Sequence, residues 1–273
     1  MLLKSAISPF CLCLLFSCCP LPAQNHQSTF SWPSGKHAAV SLSFDDARAS
    51  QIDVGLPLFD RYGAKVTFYV NPPNMQSRLA GWKQAAAEAY EIGNHSQTHP
   101  CSANFPWSRK NGVEDYTLDK MAAEMDKANS DTERLLGVKP STFAYPCGQK
   151  FMGRGERTLS YVPLVAKRFL AGRGFRDEAA NSPEYCDFAQ LLAVDSDGLS
   201  FEEMKGAAIK ARDEGAWLVF AGHEIGTASY QAQTTGAGAL EQFLKYAQDP
   251  ANGIWLDTVK AVATYVQAHR AGK

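Results

Sequence analysis

The sequence lacks a surplus of charge of either sign. Its 273 residues carry 27 Lys and Arg against 28 Asp and Glu, which gives a formal net charge of -1 at pH 7. Proteins that bind nucleic acid through its phosphates need a basic surplus, and interaction tails need a block of like charges. The balance therefore argues against a nucleic-acid partner and fits a neutral or weakly charged substrate.

The sequence also lacks a long apolar run outside its N-terminal segment. There, Lys4 precedes an uncharged apolar stretch from Ile7 to Cys19. The small residue Ala23, which suits a signal-peptide cleavage site, follows it. Such a stretch is short for a membrane span but has the anatomy of a secretory signal. We therefore predict a signal peptide over residues 1–23 and an exported protein that is periplasmic, cell-surface or secreted. A lipoprotein signal with a lipid anchor at Cys18 is the alternative.

Cysteine is sparse once the predicted leader is removed. Four of the seven cysteines lie in the leader, and the mature chain keeps Cys101, Cys147 and Cys186. Three is an odd number, so at most one internal disulfide forms and one thiol is left over. No CxxC pair exists, which argues against a zinc site built from thiolates.

Short apolar runs alternate with amphipathic segments after a polar lead-in over residues 24–36, which we expect on the surface. The predicted strands are residues 38–44, 65–70, 91–95, 142–145, 191–194 and 217–221. The predicted helices are residues 80–89, 118–136, 201–214, 239–247 and 257–268. This alternation indicates βα units around a parallel sheet. A chain of this length suits one α/β barrel domain, which we assign to residues 37–273.

Polar residues cluster directly after the predicted strands. The clusters are Asp45-Asp46, His95 to His99, Cys147-Gly148, Asp195 to Asp197, and His223. The carboxyl ends of the strands of an α/β barrel share one face, and that face carries the active site. We therefore predict that these clusters converge.

The two adjacent carboxylates and the two histidines are candidate metal ligands. His95 and His99 stand four residues apart, so one helical turn that ends at Pro100 would place them on one face. Two imidazoles and one carboxylate leave coordination positions open for catalysis. The alternatives are a solvated Asp45-Asp46 turn and two surface histidines in a polar loop.

His223 is a candidate general acid. It follows a strongly apolar predicted strand, so the mouth of the sheet would hold its imidazole, whose pKa suits proton transfer near neutral pH. A histidine satisfied within the core is the alternative interpretation.

Four motifs together resemble the polysaccharide deacetylases, which form carbohydrate esterase family four and share the nodulation-deacetylase-like domain. The motifs, in chain order, are Ser43-Phe44-Asp45-Asp46, His95-Ser96-Gln97-Thr98-His99, Phe143-Ala144-Tyr145-Pro146-Cys147-Gly148 and Gly222-His223. The resemblance implies a distorted (β/α) barrel of about seven parallel strands. It extends from about Ala38 to His223.

The resemblance also implies roles for individual residues. Asp46, His95 and His99 would bind a divalent metal, most often Zn2+ in this family. Asp45 would be the general base for a water activated by that metal, and His223 would protonate the leaving group.

The third motif would supply the oxyanion donor, which is the backbone N–H of Cys147. The reaction implied is removal of N- or O-linked acetyl groups from a polysaccharide by a monomeric enzyme.

Two departures from the family pattern stand out. The third motif often carries an arginine that supports the base carboxylate, and Ala144 occupies that place here. Arg173 is one cation that could substitute for it. The fourth motif usually has an aspartate flanked by tryptophans. Asp197 or Asp195 would orient His223 here, and Asp197 is the one we favour.

Cys101 and Cys147 lie close to the second and third motifs, so an exported chain could pair them in a disulfide. The alternative is two unrelated thiols. Four aromatic residues on loop-like segments are expected to line a sugar groove or to pack in the core: Phe105, Trp107, Tyr116 and Tyr161.

The resemblance leaves peptidoglycan, chitin-like polymers and acetylated xylan open as substrates. It also leaves two other functions open on the same fold. One is hydrolysis of a non-acetyl carbon–nitrogen amide bond, and the other is a glycan-binding module without activity.

Overall fold

The computed structural model describes residues 30–270, so the predicted signal peptide and Cys18 lie outside the described residues. The main sheet has eight strands, and every pairing within it is parallel. Its strands are β1 Ala38–Asp45, β2 Thr67–Val70, β3 Glu91–Asn94, β4 Thr142–Ala144, β7 Ala171–Arg173, β8 Val194–Asp195, β9 Trp217–Gly222 and β12 Ile254–Leu256. Two short pairs lie outside it: β5 Phe151–Met152 with β6 Leu159–Ser160, and β10 Glu224–Gly226 with β11 Thr234–Gly236.

Seven strands follow one path in the order β7-β4-β3-β2-β1-β9-β8, and β12 pairs with the start of β1. A parallel bridge joins Arg173 to Leu191, three residues before β8, so the two edges of the path approach each other. The predicted distorted barrel of about seven parallel strands is confirmed.

Seven α-helices lie within residues 30–270, and the last of them follows the final strand. They are α1 Leu56–Arg61, α2 Leu79–Ala87, α3 Leu118–Leu136, α4 Val162–Arg168, α5 Phe201–Asp213, α6 Ala237–Gln248 and α7 Val259–His269. Local chemistry sets their ends. Helix α3 ends at Gly137, which adopts φ 74° as its C-cap, and Ser200 and Glu203 form a capping box at the start of α5.

Strand β1 shows how the sheet separates its two faces. Val40, Leu42 and Phe44 belong to the cluster that also contains buried side chains of α1, α2, α5 and α6. Ser41 and Ser43 alternate with them, and the Trp217 indole N–H donates to the Ser41 hydroxyl at 3.0 Å. Because a strand has a period of two, this second face continues to Asp45.

The segment of residues 24–36, which we expected on the surface, is partly buried within its described part. Trp32 is buried in a core cluster with Trp217, and its indole N–H donates to the Gly215 carbonyl at 3.0 Å. The polar composition around it concealed this contact, which depends on β9 and α7. The predicted strand over 191–194 was also misplaced, since β8 covers only Val194–Asp195.

Among the described residues, no helix is long and apolar enough to cross a membrane.

Candidate metal centre and active site

Asp46, His95 and His99 come together at the carboxyl ends of β1 and β3. The His95 Nε2 and His99 Nε2 atoms lie 3.5 and 3.4 Å from the same carboxylate oxygen, Oδ1 of Asp46. One ligand atom from each of the three residues can be chosen so that all lie within 4.8 Å of one another. A nitrogen–nitrogen–oxygen set at this spacing fits a divalent transition metal such as Zn2+ and leaves positions for water and substrate.

The hydrogen bond of His95 supports this fit. Its Nδ1 lies 2.9 Å from the carbonyl oxygen of Ala144, which can only accept. Nδ1 must therefore carry the proton, which leaves the lone pair of Nε2 free to bind a cation shared with Asp46. The side-chain amide of Asn71 holds the same loop by donating to the Ser96 carbonyl at 3.0 Å.

The backbone that carries the three side chains departs from the predicted helical turn. The segment from His95 to His99 forms bends, and Ser96 and His99 both adopt positive φ, at 62° and 52°. The Ser96 hydroxyl accepts from the His99 N–H at 3.0 Å. The prediction of one helical turn was wrong because these side-chain bonds and left-handed residues bring the rings together without a helix.

Burial and neighbouring charges both shift the pKa values of these ligands. Burial raises the pKa of Asp46, but His95, His99 and Arg48 outweigh it and lower that pKa to about 2. Burial, with the neighbouring His95, lowers the pKa of His99 to about 4. Both groups are therefore in the deprotonated form that a metal requires near neutral pH.

Asp45 and Asp46 point to different partners although they are adjacent. Asp45 ends β1 facing the barrel interior, whereas Asp46 adopts φ 74° and turns toward the two histidines. The carboxylate of Asp45 is buried and lies 3.8 Å from His95 Nε2. It therefore borders the candidate metal position without being one of the three clustered ligands.

Arg173 pairs with the Asp45 carboxylate through its guanidinium. The guanidinium is fully buried and stacks over the Tyr69 ring at 4.7 Å. Arg173 is also the register partner of Ala144 across β4 and β7. The neighbouring strand β7 thus supplies, at the same level of the sheet, the cation that the family pattern places at position 144.

Asp197 contacts His223 directly. The Nδ1 N–H of His223 donates to Oδ2 of Asp197 at 2.6 Å, and the Thr235 hydroxyl donates to Oδ1 at 3.0 Å. Asp195 instead pairs with Arg176 at 3.1 Å. Burial by itself lowers the pKa of His223, but the hydrogen bond to Asp197 and the charges of nearby carboxylates leave that pKa above its ordinary value.

Cys147 is bonded to Cys101 by a disulfide with its Cα atoms 6.0 Å apart. Cys147 adopts φ 54°, and the Cys101 sulfur lies 3.6 Å from Nδ1 of His99. The disulfide therefore joins the loop of the second motif to that of the third. Cys186 is the free cysteine of the described chain.

A cavity of about 690 Å³ opens above these groups. Its lining residues are Asp45, Asp46, Arg48, Asn74, His95, Thr98, His99, Phe105, Trp107, Cys147, Phe175, Arg176, His223 and Gln233. Its volume suits a small molecule or one segment of a polymer. Each polar cluster that the sequence places after a strand has a residue in this lining or, like Asp197, holds a residue that lines it.

The four aromatic candidates divide into two pairs. Phe105 and Trp107 line the cavity and are exposed, whereas Tyr116 and Tyr161 are buried in the core. The expectation of a groove contact was therefore wrong for the two tyrosines. Thr235 and Arg48 were missed by the sequence reasoning because neither belongs to a motif.

A family model described as polysaccharide deacetylase matches residues 33–159. This range contains Asp45, Asp46, His95, His99 and Cys147, and it ends before the second half of the site. Among curated proteins, a gellan lyase from Bacillus sp is 28% identical over 212 residues, which is 73% of this chain and 7% of that protein. The chain spans no more than about a quarter of the length of the curated relatives it matches.

Solved structures share the fold at low identity. A Mycobacterium smegmatis protein assigned as a polysaccharide deacetylase matches with a TM-score of 0.62 at 16% identity, over 90% of this chain and 97% of that one. The Xyl-CE4 domain of a multidomain xylanase from the hindgut metagenome of Trinervitermes trinervoides matches with a TM-score of 0.53 at 18% identity, over 83% and 90%.

Proposed function

We propose that this chain, whose resemblance to the polysaccharide deacetylases is confirmed, is an exported metal-dependent hydrolase that removes acetyl groups from a glycan. The observation that carries the proposal is the meeting of Asp46, His95 and His99 beside Asp45, with His223 lining the same cavity. A base, an acid and an open ligand set around one cavity are what hydrolysis of an acyl bond requires.

Asp46, His95 and His99 would hold the cation. A divalent metal at this position supplies a Lewis acid, which lowers the pKa of water toward neutrality and polarises a carbonyl oxygen. The N–H of His95 that is bonded to the Ala144 carbonyl keeps its other nitrogen directed at the cation. Zn2+ suits this donor set, and no thiolate takes part.

Asp45 would accept the proton of the attacking water. The buried guanidinium of Arg173 pairs with this carboxylate and offsets its negative charge. Its position 3.8 Å from His95 keeps it beside the metal ligands. The backbone N–H of Cys147, on the loop fixed by the disulfide, would donate to the oxygen of the acetyl carbonyl as negative charge develops there.

His223 would protonate the leaving amine or alcohol. Asp197 holds the Nδ1 side of the ring, so Nε2 is the nitrogen available to the substrate. The raised pKa of His223 increases the fraction of imidazolium near neutral pH, which is the form a general acid needs. Acetate and the free amine or hydroxyl of the glycan are the products.

The exported location rests on the predicted N-terminal signal and is supported by the disulfide, because such bonds persist in oxidising compartments. We assign residues 1–23 to the signal peptide, with Cys18 lipidation as the alternative, and residues 37–273 to the catalytic domain.

The test is acetate release by the purified mature protein, together with its metal content. We expect close to one equivalent of divalent metal and activity on at least one of acetylated peptidoglycan, chitin oligosaccharides and acetylated xylan. Asp45→Asn should bind metal and lose about 100-fold or more in rate, since general-base catalysis contributes about that much. Metal-free protein, or a wild type no faster than Asp45→Asn on every substrate, would refute the proposal.

The two other functions are separate outcomes of the same assay. Ammonia or amine release from a linear or cyclic amide without acetate would indicate the amidase. Glycan binding with no turnover would indicate the inactive module.

A further inference from the structure

The side-chain amide of Gln51 lies between the backbone of Asp45 and the backbone of His223. Its Nε2 group donates to the carbonyl oxygen of Asp45 at 2.6 Å and to the carbonyl oxygen of His223 at 2.9 Å. The Gln51 side chain is fully buried, and both of its partners line the cavity. One amide therefore joins the segment that carries the candidate base to the distant segment that carries the candidate acid.

The two carbonyl groups lie where the pairing of β1 with β9 ends. The last register pair of these strands is Phe44 with Gly222, so Asp45 and His223 are the next residue along each strand. A buried backbone carbonyl needs a hydrogen-bond donor, and the Gln51 amide supplies one to both groups. The amide thus holds the two strand ends together one step beyond their ladder.

The partners of the Gln51 amide also fix its orientation. A carbonyl oxygen only accepts, so both contacts require the NH2 end of the amide to face Asp45 and His223. This leaves Oε1 of Gln51 buried and without a hydrogen-bond partner among the described residues. A buried acceptor without a donor is destabilising. Stability alone does not account for such a residue, whereas a role in placing the base and the acid does.

The backbone around Gln51 reaches both strand ends. Gln51–Gly55 is a π-helical turn that follows the first motif, and π-helical turns recur at functional sites. The preceding residue, Ser50, accepts from the Ile225 N–H at 2.9 Å through its hydroxyl, which donates to the carboxylate of Glu224. Two consecutive residues therefore hold the whole segment 223–225 against the end of β1.

We propose that Gln51 is a positioning residue that sets the distance between the base Asp45 and the acid His223. The inference rests on the proposed function for those two roles. Gln51 is absent from the cavity lining, so it acts on the reaction through the backbone of its two partners. Displacing a catalytic group by about 1 Å can lower a rate about 100-fold, because proton transfer needs the group within hydrogen-bond reach of the substrate.

The experiment compares two buried amides that make equivalent hydrogen bonds. Gln51→Met keeps the length of the side chain and removes both donors. Asn181→Leu is the matched control, because the buried Asn181 amide donates to the carbonyl groups of Leu192 at 3.0 Å and Trp217 at 3.2 Å, at the start of β9 and outside the cavity lining. Urea unfolding, bound metal, kcat and KM for acetate release are measured for both variants and wild type.

We expect Gln51→Met to lower kcat about 10- to 100-fold with KM within about twofold and the metal content unchanged. Asn181→Leu should lose at least as much stability while its kcat stays within about twofold of wild type. Gln51→Asn, whose amide is one methylene shorter, should also lower kcat and replaces Gln51→Met if that variant does not fold. A kcat within twofold of wild type, or an equal loss in Asn181→Leu, would overturn the inference.

A double variant distinguishes placement of the two groups from general damage to the site. If Gln51 sets the distance between Asp45 and His223, its loss matters only while both side chains are present. In a His223→Ala background, Gln51→Met should therefore lower the residual kcat by less than about threefold. A fall as large as the one in wild type would contradict the positioning role.

Nitrogen-15 NMR of the histidine rings separates this inference from the proposed function, since it requires no turnover. The ring-nitrogen resonances of His223 should move in Gln51→Met and stay in place in Asn181→Leu. If wild type releases no acetate but the His223 resonances move in this way, the positioning role stands and the hydrolase proposal fails. If wild type is active and the His223 resonances of Gln51→Met match those of wild type, the positioning role fails and the hydrolase proposal stands.

Discussion

At the scale of single residues, Asp45 shows how a supporting cation can come from a different position in the chain than the family pattern predicts. Asp45 is buried, and a buried charge is costly unless an opposite charge pairs with it. Arg173 offsets that charge from 128 residues away in the sequence. Ala144 and Arg173 are register partners on adjacent parallel strands, so exchanging the cation between them keeps it at one level of the barrel.

The pair of Asp197 and His223 gives the first prediction. Asp197→Asn keeps the size of the side chain but removes its charge, so the pKa of His223 should fall. Activity needs His223 protonated and is lost as pH rises through that pKa. The alkaline limb of kcat/KM should therefore move about 1–2 pH units lower. The measurement is a pH–rate profile for acetate release.

Asp195→Asn is the matched control for that profile. Asp195 is partly buried, whereas Asp197 is buried, and Asp195 pairs with Arg176. Its alkaline limb should stay close to that of wild type. A larger shift for Asp195→Asn than for Asp197→Asn would contradict the assignment.

At the scale of elements, the disulfide connects two catalytic loops across 46 residues of sequence. The chain-entropy relation gives about 4 kcal/mol for a loop of this length, and measured values centre on about 2–4 kcal/mol. We predict that the double variant Cys101→Ser and Cys147→Ser loses about this much free energy of unfolding in urea. Reductant should reproduce the loss in wild type.

Cys186→Ser provides the comparison for that double variant, since it changes a cysteine without breaking the bridge. It should lose markedly less stability and should respond to reductant as wild type does. If the double variant is as stable as Cys186→Ser, the disulfide has no stabilising role.

Another element-scale feature is the carboxylate at the start of β3. Glu91 is buried, accepts from the Thr67 hydroxyl at 2.8 Å, and accepts from the Lys260 N–H in the first turn of α7 at 2.8 Å. It thereby joins the sheet to the last helix. Gly93, two residues on, has to be glycine because a Cβ there would lie 2.4 Å from the Tyr69 ring. Burial raises the pKa of Glu91 in spite of these donors.

The raised pKa of Glu91 makes the stability of the folded protein depend on pH in a definite direction. The folded state binds the proton of Glu91 more tightly than the unfolded state, whose value is near 4.5. The stability contributed by this group is thus fully present below that value and is lost as pH rises through the folded pKa. We predict that Glu91→Gln removes this decline, measured as urea unfolding between pH 5 and 8.

Glu88→Gln is the control, because it removes an acid near the same strand without touching the α7 contact. The difference in slope between wild type and Glu91→Gln is the quantity of interest, since all other groups are common to both. Parallel stability curves for the two proteins would disprove the prediction.

At the scale of the whole molecule, the candidate metal centre ties β1 to β3. A cation that binds only the folded state stabilises it by about 2.7 kcal/mol at a concentration 100 times its Kd. For a domain of this size that corresponds to roughly 5–10 °C in Tm. We predict a fall of this order on treatment with a chelator, with recovery on adding Zn2+, followed by calorimetry.

Two variants make the chelator experiment specific. Asp46→Ala should have the lower Tm from the start and should not respond to the chelator, because a ligand is missing. Asp45→Asn should still respond, because Asp45 is not one of the three clustered ligands. A response of Asp46→Ala equal to that of wild type would place the metal elsewhere.

Much of the fold followed from periodicity. Strand β1 and helix α3 have boundaries close to those predicted, since each is long and bounded by clear signals. Strands β7 and β12 are three residues long and were missed, because so short a run carries no period and neither strand belongs to a motif, as β4 does. The pairing of β12 with β1 depends on contacts between distant segments.

The sequence by itself determined the α/β alternation, the family resemblance and the presence of Asp45, Asp46, His95, His99 and His223 after strands. The tertiary structure decided which of these side chains meet. It assigned Arg173 to Asp45 and Asp197 to His223, and it joined Cys101 to Cys147. Strand periodicity and residue type are local properties of a chain, whereas these pairings depend on strand order and register, which only packing of the whole barrel fixes.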